Sequence, residues 1–261
     1  MRIYLFSSKI IWERIVKINK KLEILKLISA TLGLILVISA VFIFIFPLHQ
    51  RNIPPSHEKL LKGVARFRFN HANALSGWEE KIFKGKVVYS VKKDKTGEYL
   101  NAYSKDAASG MIYWMEFNPK NHPMVSWKWR VTRFPERKKG APGDSWWLEK
   151  DDYAARFYVI FPRFPLFRFR CLEYVWDKDL PVGTIITNPN FKNLKIIVVE
   201  SGVKNMGNWV RVERNIYDDF RKLFGSSPGN AGAIAIMTDS ENTQSVAEAQ
   251  YNDIEVGYEK Q

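Results

Sequence analysis

Val125-Ser-Trp-Lys-Trp-Arg-Val131 puts Val125, Trp127, Trp129 and Val131 at one parity and Ser126, Lys128 and Arg130 at the other. Successive side chains of an extended chain point to opposite faces, so this is a strand with one face in a core and one in water. Trp127 and Trp129 are therefore expected inside. Working outward, Phe67 and Phe69 alternate with Arg66 and Arg68. Further strand-like runs occupy 86–91, 98–103, 109–117, 153–161, 167–176, 183–187, 194–200, 209–215, 231–238 and 250–258. Gly85, Gly97, Asn118-Pro119, Gly183, Gly202 and Gly207 separate them at a spacing that suits two packed sheets. The pattern predicts a mainly β fold, a jelly-roll-like β-sandwich with one short helix.

Two stretches depart from simple alternation. In 167–176 the apolar parity switches from Phe167, Phe169 and Cys171 to Leu172, Tyr174 and Trp176, which predicts a β-bulge near Cys171 and Leu172. Asn215 to Gly225 reads as a helix. Asn215 caps it, Asp218 suits the first turn, Ile216, Phe220, Leu223 and Phe224 form one face, and Gly225 ends it.

The N-terminal quarter has another character. Leu27 to Leu48 carries no charged side chain, and 22 residues of helix span roughly 33 Å, enough for a hydrocarbon core of about 30 Å. The run ends in Phe42, Ile43, Phe44, Ile45, Phe46 and Pro47, without the small residues of a signal-peptide cleavage site, so it is expected to stay as an anchor. Seven Lys or Arg against Glu13 and Glu23 precede it, which predicts a cytoplasmic N-terminus and an outer C-terminal bulk. Ile11, Ile15, Ile18, Leu22 and Leu25 form an apolar stripe opposite Lys9, Lys17, Lys20 and Lys21. Residues 1–26 thus read as a basic amphipathic segment lying on membrane lipid. The expected organisation is 1–26 amphipathic segment, 27–48 transmembrane helix, 49–62 linker with Pro54-Pro55, and 63–261 outer β-sandwich.

Composition narrows the chemistry. The net charge of +13 favours polyanionic neighbours, but nucleic acid is not expected once the domain faces away from the cytoplasm. The lone cysteine, Cys171, permits no internal disulfide and reads as a small buried apolar residue. His49, His57, His71 and His122 show no metal-ligand spacing, and no G-x-S-x-G elbow is present. Glu149-Lys-Asp151 begins like the E-x-D-x-x-E of sandwich glucanases, but Ala154 stands where the second glutamate belongs; Glu116 and Glu173 remain a pair to be tested across the sheets. Catalysis is therefore not expected, and no cofactor is implied beyond a structural calcium ion.

Binding is the better expectation. Nine tryptophans and 14% aromatic residues are many for one core. Trp146 and Trp147 follow a loop-like Gly140-Ala-Pro-Gly-Asp-Ser145, where an exposed indole stacks on the C–H face of a sugar. Asp144, Asp151, Asp152 and Arg156 are near enough in sequence to bond its hydroxyls; failing that, Asp152 and Arg156 form a structural ion pair. Arg163, Phe164, Phe167, Arg168 and Arg170 mix arginine with phenylalanine, a composition suited to a protein partner or a leaflet surface. Asp239, Glu241 and Asn242 offer the oxygen ligands that Ca²⁺ requires.

Several of these segments together resemble DUF3047, a bacterial family of unknown function: Val125-Ser-Trp-Lys-Trp-Arg130, Lys150-Asp-Asp-Tyr-Ala-Ala-Arg156, Tyr174-Val-Trp176, Asn208-Trp209, Arg214-Asn215, Tyr217-Asp-Asp-Phe220 and Ile236-Met-Thr-Asp239. The resemblance runs from about Phe69 to Val256. It implies a jelly-roll sandwich similar to galactose-binding-like and carbohydrate-binding modules, and a bacterial inner membrane as the site of the anchor, with the sandwich periplasmic. Ser240 stands where the family often carries a second acidic residue, which weakens the implied cation site. The expected function is a non-catalytic envelope protein whose sandwich binds a glycan. The alternative is an accessory subunit of a membrane protein complex, and a glycan-cleaving enzyme is the third reading.

Overall fold

The computed structural model describes residues 65–71, 73–137, 151–163, 169–188 and 191–259. The amphipathic segment, the apolar run 27–48 and the linker lie outside the described residues, and no described helix is long and apolar enough to cross a membrane. Thirteen strands are described: β1 (Ala65–Phe67), β2 (Trp78–Lys84), β3 (Val88–Asp94), β4 (Gly97–Lys105), β5 (Ala108–Phe117), β6 (Met124–Arg133), β7 (Ala155–Phe161), β8 (Arg170–Asp177), β9 (Ile185–Thr187), β10 (Leu194–Ser201), β11 (Val210–Asn215), β12 (Ala231–Asp239) and β13 (Val246–Tyr258). One helix, α1 (Ile216–Phe224), follows β11. A six-stranded sheet runs β11-β6-β13-β4-β3, with β1 paired to β13, and a seven-stranded sheet runs β2-β5-β12-β7-β8-β10-β9. The predicted two-sheet sandwich with one helix is the fold observed. Every alternating run read from the sequence holds a strand, and β2, whose Trp78-Glu-Glu-Lys-Ile-Phe-Lys84 alternates poorly, was missed.

The Val125–Val131 strand sits where the pattern requires. Trp127 and Trp129 are fully buried between the sheets. Trp127 of β6 stacks on Phe157 of β7 at 4.2 Å between ring centroids, and Trp129 meets Trp176 of β8 at 6.2 Å, so aromatic rings join the two layers. Their indole nitrogens have no hydrogen-bond acceptor among the described residues. The cost of those bare donors is offset by the large apolar area each ring removes from water.

The bulge expected near Cys171 is absent: β8 pairs with β7 without a break from Arg170↔Phe161 to Trp176↔Ala155. Leu172, Tyr174 and Trp176 enter the inter-sheet core, while Cys171, Glu173 and Val175 are buried on the opposite face. A strand covered on both sides is apolar at both parities, and that mimics a phase change. The bulge among these strands lies instead in β10, between Val198 and Glu200.

The helix forms as its caps dictate. Asn215 Oδ1 accepts from Asp218 N at 3.1 Å, and Gly225 adopts φ +65°, its N–H donating to Arg221 O at 3.0 Å. Ile216 and Phe220 are buried, and Phe220 packs on Phe161 at 4.6 Å. Removing the cap oxygen in Asn215→Ala should cost about 1 kcal/mol. Urea unfolding followed by tryptophan fluorescence reads this directly, with Asn215→Asp as the variant that keeps the oxygen.

Candidate functional site

Strand register sorts the outward side chains into two faces. On the seven-stranded sheet, one row crosses the strands as Glu79, Ile112, Ala235, Tyr158, Glu173 and Ile196, and the next carries Met237, Arg156 and Val175. Here most of the residues singled out from sequence converge. Arg156 is 4% exposed. Its Nε donates to Asp239 Oδ1 at 2.9 Å and its Nη1 to Glu173 Oε1 at 2.9 Å, while Nη2 donates to Asp239 Oδ2 and to the Asp151 carbonyl. Asp151 Oδ1 stands 3.6 Å from Nη1. The guanidinium also lies over the Tyr153 ring at 4.7 Å, with Arg137 on the same ring at 5.2 Å.

Asp152 plays a separate part. It is fully buried, and its Oδ1 accepts from Asn242 N and Nδ2 at 3.2 and 3.1 Å. Its Oδ2 accepts from Thr243 N and Oγ1 at 2.7 and 2.6 Å. The carboxylate thus ties down the turn after β12 and is not the ion-pair partner of Arg156. That role falls to Asp239 and Glu173, far away in sequence and brought near only by the sheet.

The cluster holds more negative charge than Arg156 balances. Asp151 Oδ1, Glu173 Oε2 and Glu241 Oε2 are buried without a hydrogen-bond donor among the described residues. Desolvation is the chief cause of the resulting shifts: the Asp151 carboxyl is pushed up to about 7 and that of Glu241 to about 8, with Glu173 and Asp239 also raised. Burial likewise raises the Cys171 thiol. As a calcium site the cluster fits poorly. Asp152, Asp239 and Glu241 offer oxygens within 4.8 Å of one another. Yet Asp152 already accepts four hydrogen bonds, Asp239 accepts from Arg156 and Tyr153, and the Asn242 amide is turned as a donor toward Asp152. Ca²⁺ needs six to eight oxygens, and this set offers Glu241 Oε2.

Other candidates fall elsewhere. Asp144, Trp146, Trp147, Phe164, Phe167 and Arg168 lie outside the described residues. Arg163 is exposed, whereas Arg170 is engaged, donating to Ser226 Oγ at 2.7 Å and covering the Phe224 ring at 4.8 Å. Glu116 and Glu173 are not across the sandwich from each other. They belong to one sheet, on β5 and β8 with two strands between, so they stand at least about 14 Å apart at the usual strand spacing. That exceeds the reach of a glycosidase pair.

The outward face of the six-stranded sheet holds residues that the sequence reading passed over. Register aligns Ser90, Asn101, Gln250 and Arg130 across four strands, with Tyr99 and Tyr103 beside them. Arg130 Nε donates to Gln250 Oε1 at 2.5 Å, and Gln250 Nε2 donates to Asn101 Oδ1 at 3.2 Å. The same guanidinium lies between two rings, 5.0 Å from Tyr99 and 4.7 Å from Trp209. Trp209 Nε1 donates to Thr96 Oγ1 at 3.0 Å, which fixes the indole. Asp94 accepts from Arg130 Nη2 at 2.6 Å; hydrogen bonds from Thr96 and then Arg130 hold its carboxyl down to about 2. The signal was present in Tyr99-Leu-Asn-Ala-Tyr103, where polar and aromatic residues share one parity and Leu100 and Ala102 the other.

Comparison with solved structures gives similar folds at low identity. The family 11 carbohydrate-binding module of the cellulosomal cellulase Lic26A-Cel5E of Clostridium thermocellum is 12% identical, covering 76% of this chain and 97% of its own, with a TM-score of 0.40. The family 30 carbohydrate-binding module of cellulosomal cellulase Cel9D-Cel44B of Clostridium thermocellum is 10% identical, covering 71% and 93%, at 0.37. A cellulase derived from Cel12A of Rhodothermus marinus is 8% identical, covering 74% and 98%, at 0.38. No curated protein matches the sequence. Residues 76–255, well over half of the chain, match DUF3047, described as a protein of unknown function, and the chain belongs to that family.

Proposed function

We propose that this protein is a single-span envelope protein whose β-sandwich binds a glycan without cleaving it, through the outward face of the six-stranded sheet. The observation that carries the reading is the Tyr99–Arg130–Trp209 stack with its Arg130–Gln250–Asn101 ladder. A sugar asks for an aromatic surface beside fixed donors and acceptors. Trp209 and Tyr103 supply partly exposed rings, and the ladder leaves Arg130 Nη1 as a donor beside them. The buried amides hold the Arg130 guanidinium in place before any ligand arrives, which lowers the cost of binding. The apolar run 27–48 supplies the anchor, with residues 1–26 on the lipid of the inner leaflet and the sandwich in the periplasm.

Binding of envelope polysaccharide to the full-length protein, followed by calorimetry or pull-down, tests this. Trp209→Ala and Arg130→Ala should each weaken it about tenfold or more while circular dichroism is unchanged. Binding that survives both changes, and disappears in Trp146→Ala or Trp147→Ala, would move the site to the 140–147 loop. Production of shortened oligosaccharides by the unaltered protein would overturn the non-catalytic part.

A further inference from the structure

The two sheets end on the same side of the sandwich, β9 closing one and β11 the other, and no described strand bridges these edges. Between them lies a cleft of about 410 Å³, within the usual range for small-ligand sites. Its floor is an extension of the main core. Ile197 and Val212 are buried there, and Val199, Val210 and Leu223 pack against them with part of their surface open. Val182 and Ile185 line the mouth and are 61% and 43% exposed. Isolated exposed aliphatic side chains are ordinary; two on the rim of an apolar-floored cleft mark surface left ready for an apolar body.

The rim is charged, and its charges are unequally engaged. Asp219 is held by Arg214 at 2.5 Å and by the Tyr174 hydroxyl at 2.8 Å. Glu200 accepts from Asn205 and Ser201, and Glu213 from Tyr258. Lys222, on the same helix one turn after Asp219, makes no ion pair among the described residues and is exposed. The cleft therefore offers an apolar floor with one uncommitted cation at its edge. Strand addition does not suit it. β9 has only three residues, and the outward positions of β11 are Arg211 and Glu213, charges that guard an edge against pairing.

We propose that this cleft binds a single-chain amphiphile, its hydrocarbon lying along Val199, Val210 and Leu223 and its anionic head, carboxylate or phosphate, against Lys222. The proposal is independent of the glycan face, which lies outward on the six-stranded sheet while the cleft opens between the sheet edges.

The test uses the full-length protein in lipid nanodiscs with a diazirine-bearing palmitate, cross-links being mapped by mass spectrometry. Labelling should concentrate on peptides from 195–200 and 210–223, and unlabelled oleate or lysophosphatidylglycerol should suppress it. The more effective competitor identifies the head as carboxylate or phosphate. Lys222→Glu, an exposed change that spares the core, should raise the palmitate concentration for half-labelling about threefold to tenfold. Val210→Trp, which fills the floor, should abolish labelling at those peptides. Labels confined to 27–48, labels scattered over the sandwich, or capture unaffected by both variants would each overturn the proposal.

Discussion

Arg156→Leu is expected to destabilise the sandwich by roughly 3–5 kcal/mol, the largest effect of any single substitution outside the apolar core. Arg156 is the cation that Asp239, Glu173 and Asp151 share, and these groups come from three different segments of the chain. Leucine fills much of the volume but leaves Asp239 and Glu173 without their cation in a place water does not reach. At the size of this domain the loss should lower the melting midpoint by about 10 °C or more. Arg156→Lys keeps the charge but cannot bridge Asp239 and Glu173 with a planar fork, so it should recover only part of the loss. Combining Arg156→Leu with Asp239→Asn and Glu173→Gln removes the stranded charges and should recover more than lysine does. Thermal unfolding by circular dichroism ranks the three. A deficit below 1 kcal/mol for Arg156→Leu would mean that the carboxyl groups around it are already neutral.

The protein should also lose stability as pH rises from about 5 to 8.5, with its melting midpoint falling by at least about 5 °C. The direction follows from the protons. Asp151 and Glu241 titrate in the folded protein at about 7 and about 8, raised chiefly by burial, while an unfolded carboxyl titrates near 4. A group with a raised folded value holds its proton in the native state after the unfolded chain has released it. Its stabilising contribution is complete below about pH 4 and is lost progressively up to the folded value. Each unit of separation is worth about 1.4 kcal/mol, although neighbouring groups release their protons together and the contributions do not simply add. Asp151→Asn and Glu241→Gln should each flatten the profile and raise the midpoint at the alkaline end of that range, where the native side chains are mostly charged. A midpoint that is level, or that climbs between pH 5 and 8, would count against the buried acidic cluster.

The fold was legible because its strands are mostly one-sided. Where a strand has one dry face, as in Val125–Val131, parity alone gives the strand and its orientation. The rule failed at β8, which is covered on both sides, and at β2, whose Glu79-Glu80 interrupts the alternation. The candidate site was less legible. Asp151, Asp152, Arg156, Asp239 and Glu241 were picked for their chemistry and do meet in space, but sequence distance suggested the wrong partners. Asp152 is four residues from Arg156 and bonds the 242–243 turn, whereas Asp239 is 83 residues away and bonds Arg156. Tyr99, Asn101 and Gln250 drew no notice because each is ordinary alone. They become a surface only when β4 and β13 lie side by side.

The order of strands in the six-stranded sheet bears on how the chain reaches its native state. β13 lies between β6 and β4 and also holds β1, so the β3-β4 and β6-β11 pairs, and β1 with them, are joined into one sheet only once β13 has been made. Contacts across such long separations form slowly, and the half-made sheet exposes unpaired edges meanwhile. The six-stranded sheet consequently stays in separate pieces for most of synthesis, and a chain cut before Val246 would leave β3-β4 and β6-β11 as two ribbons with no described strand to join them.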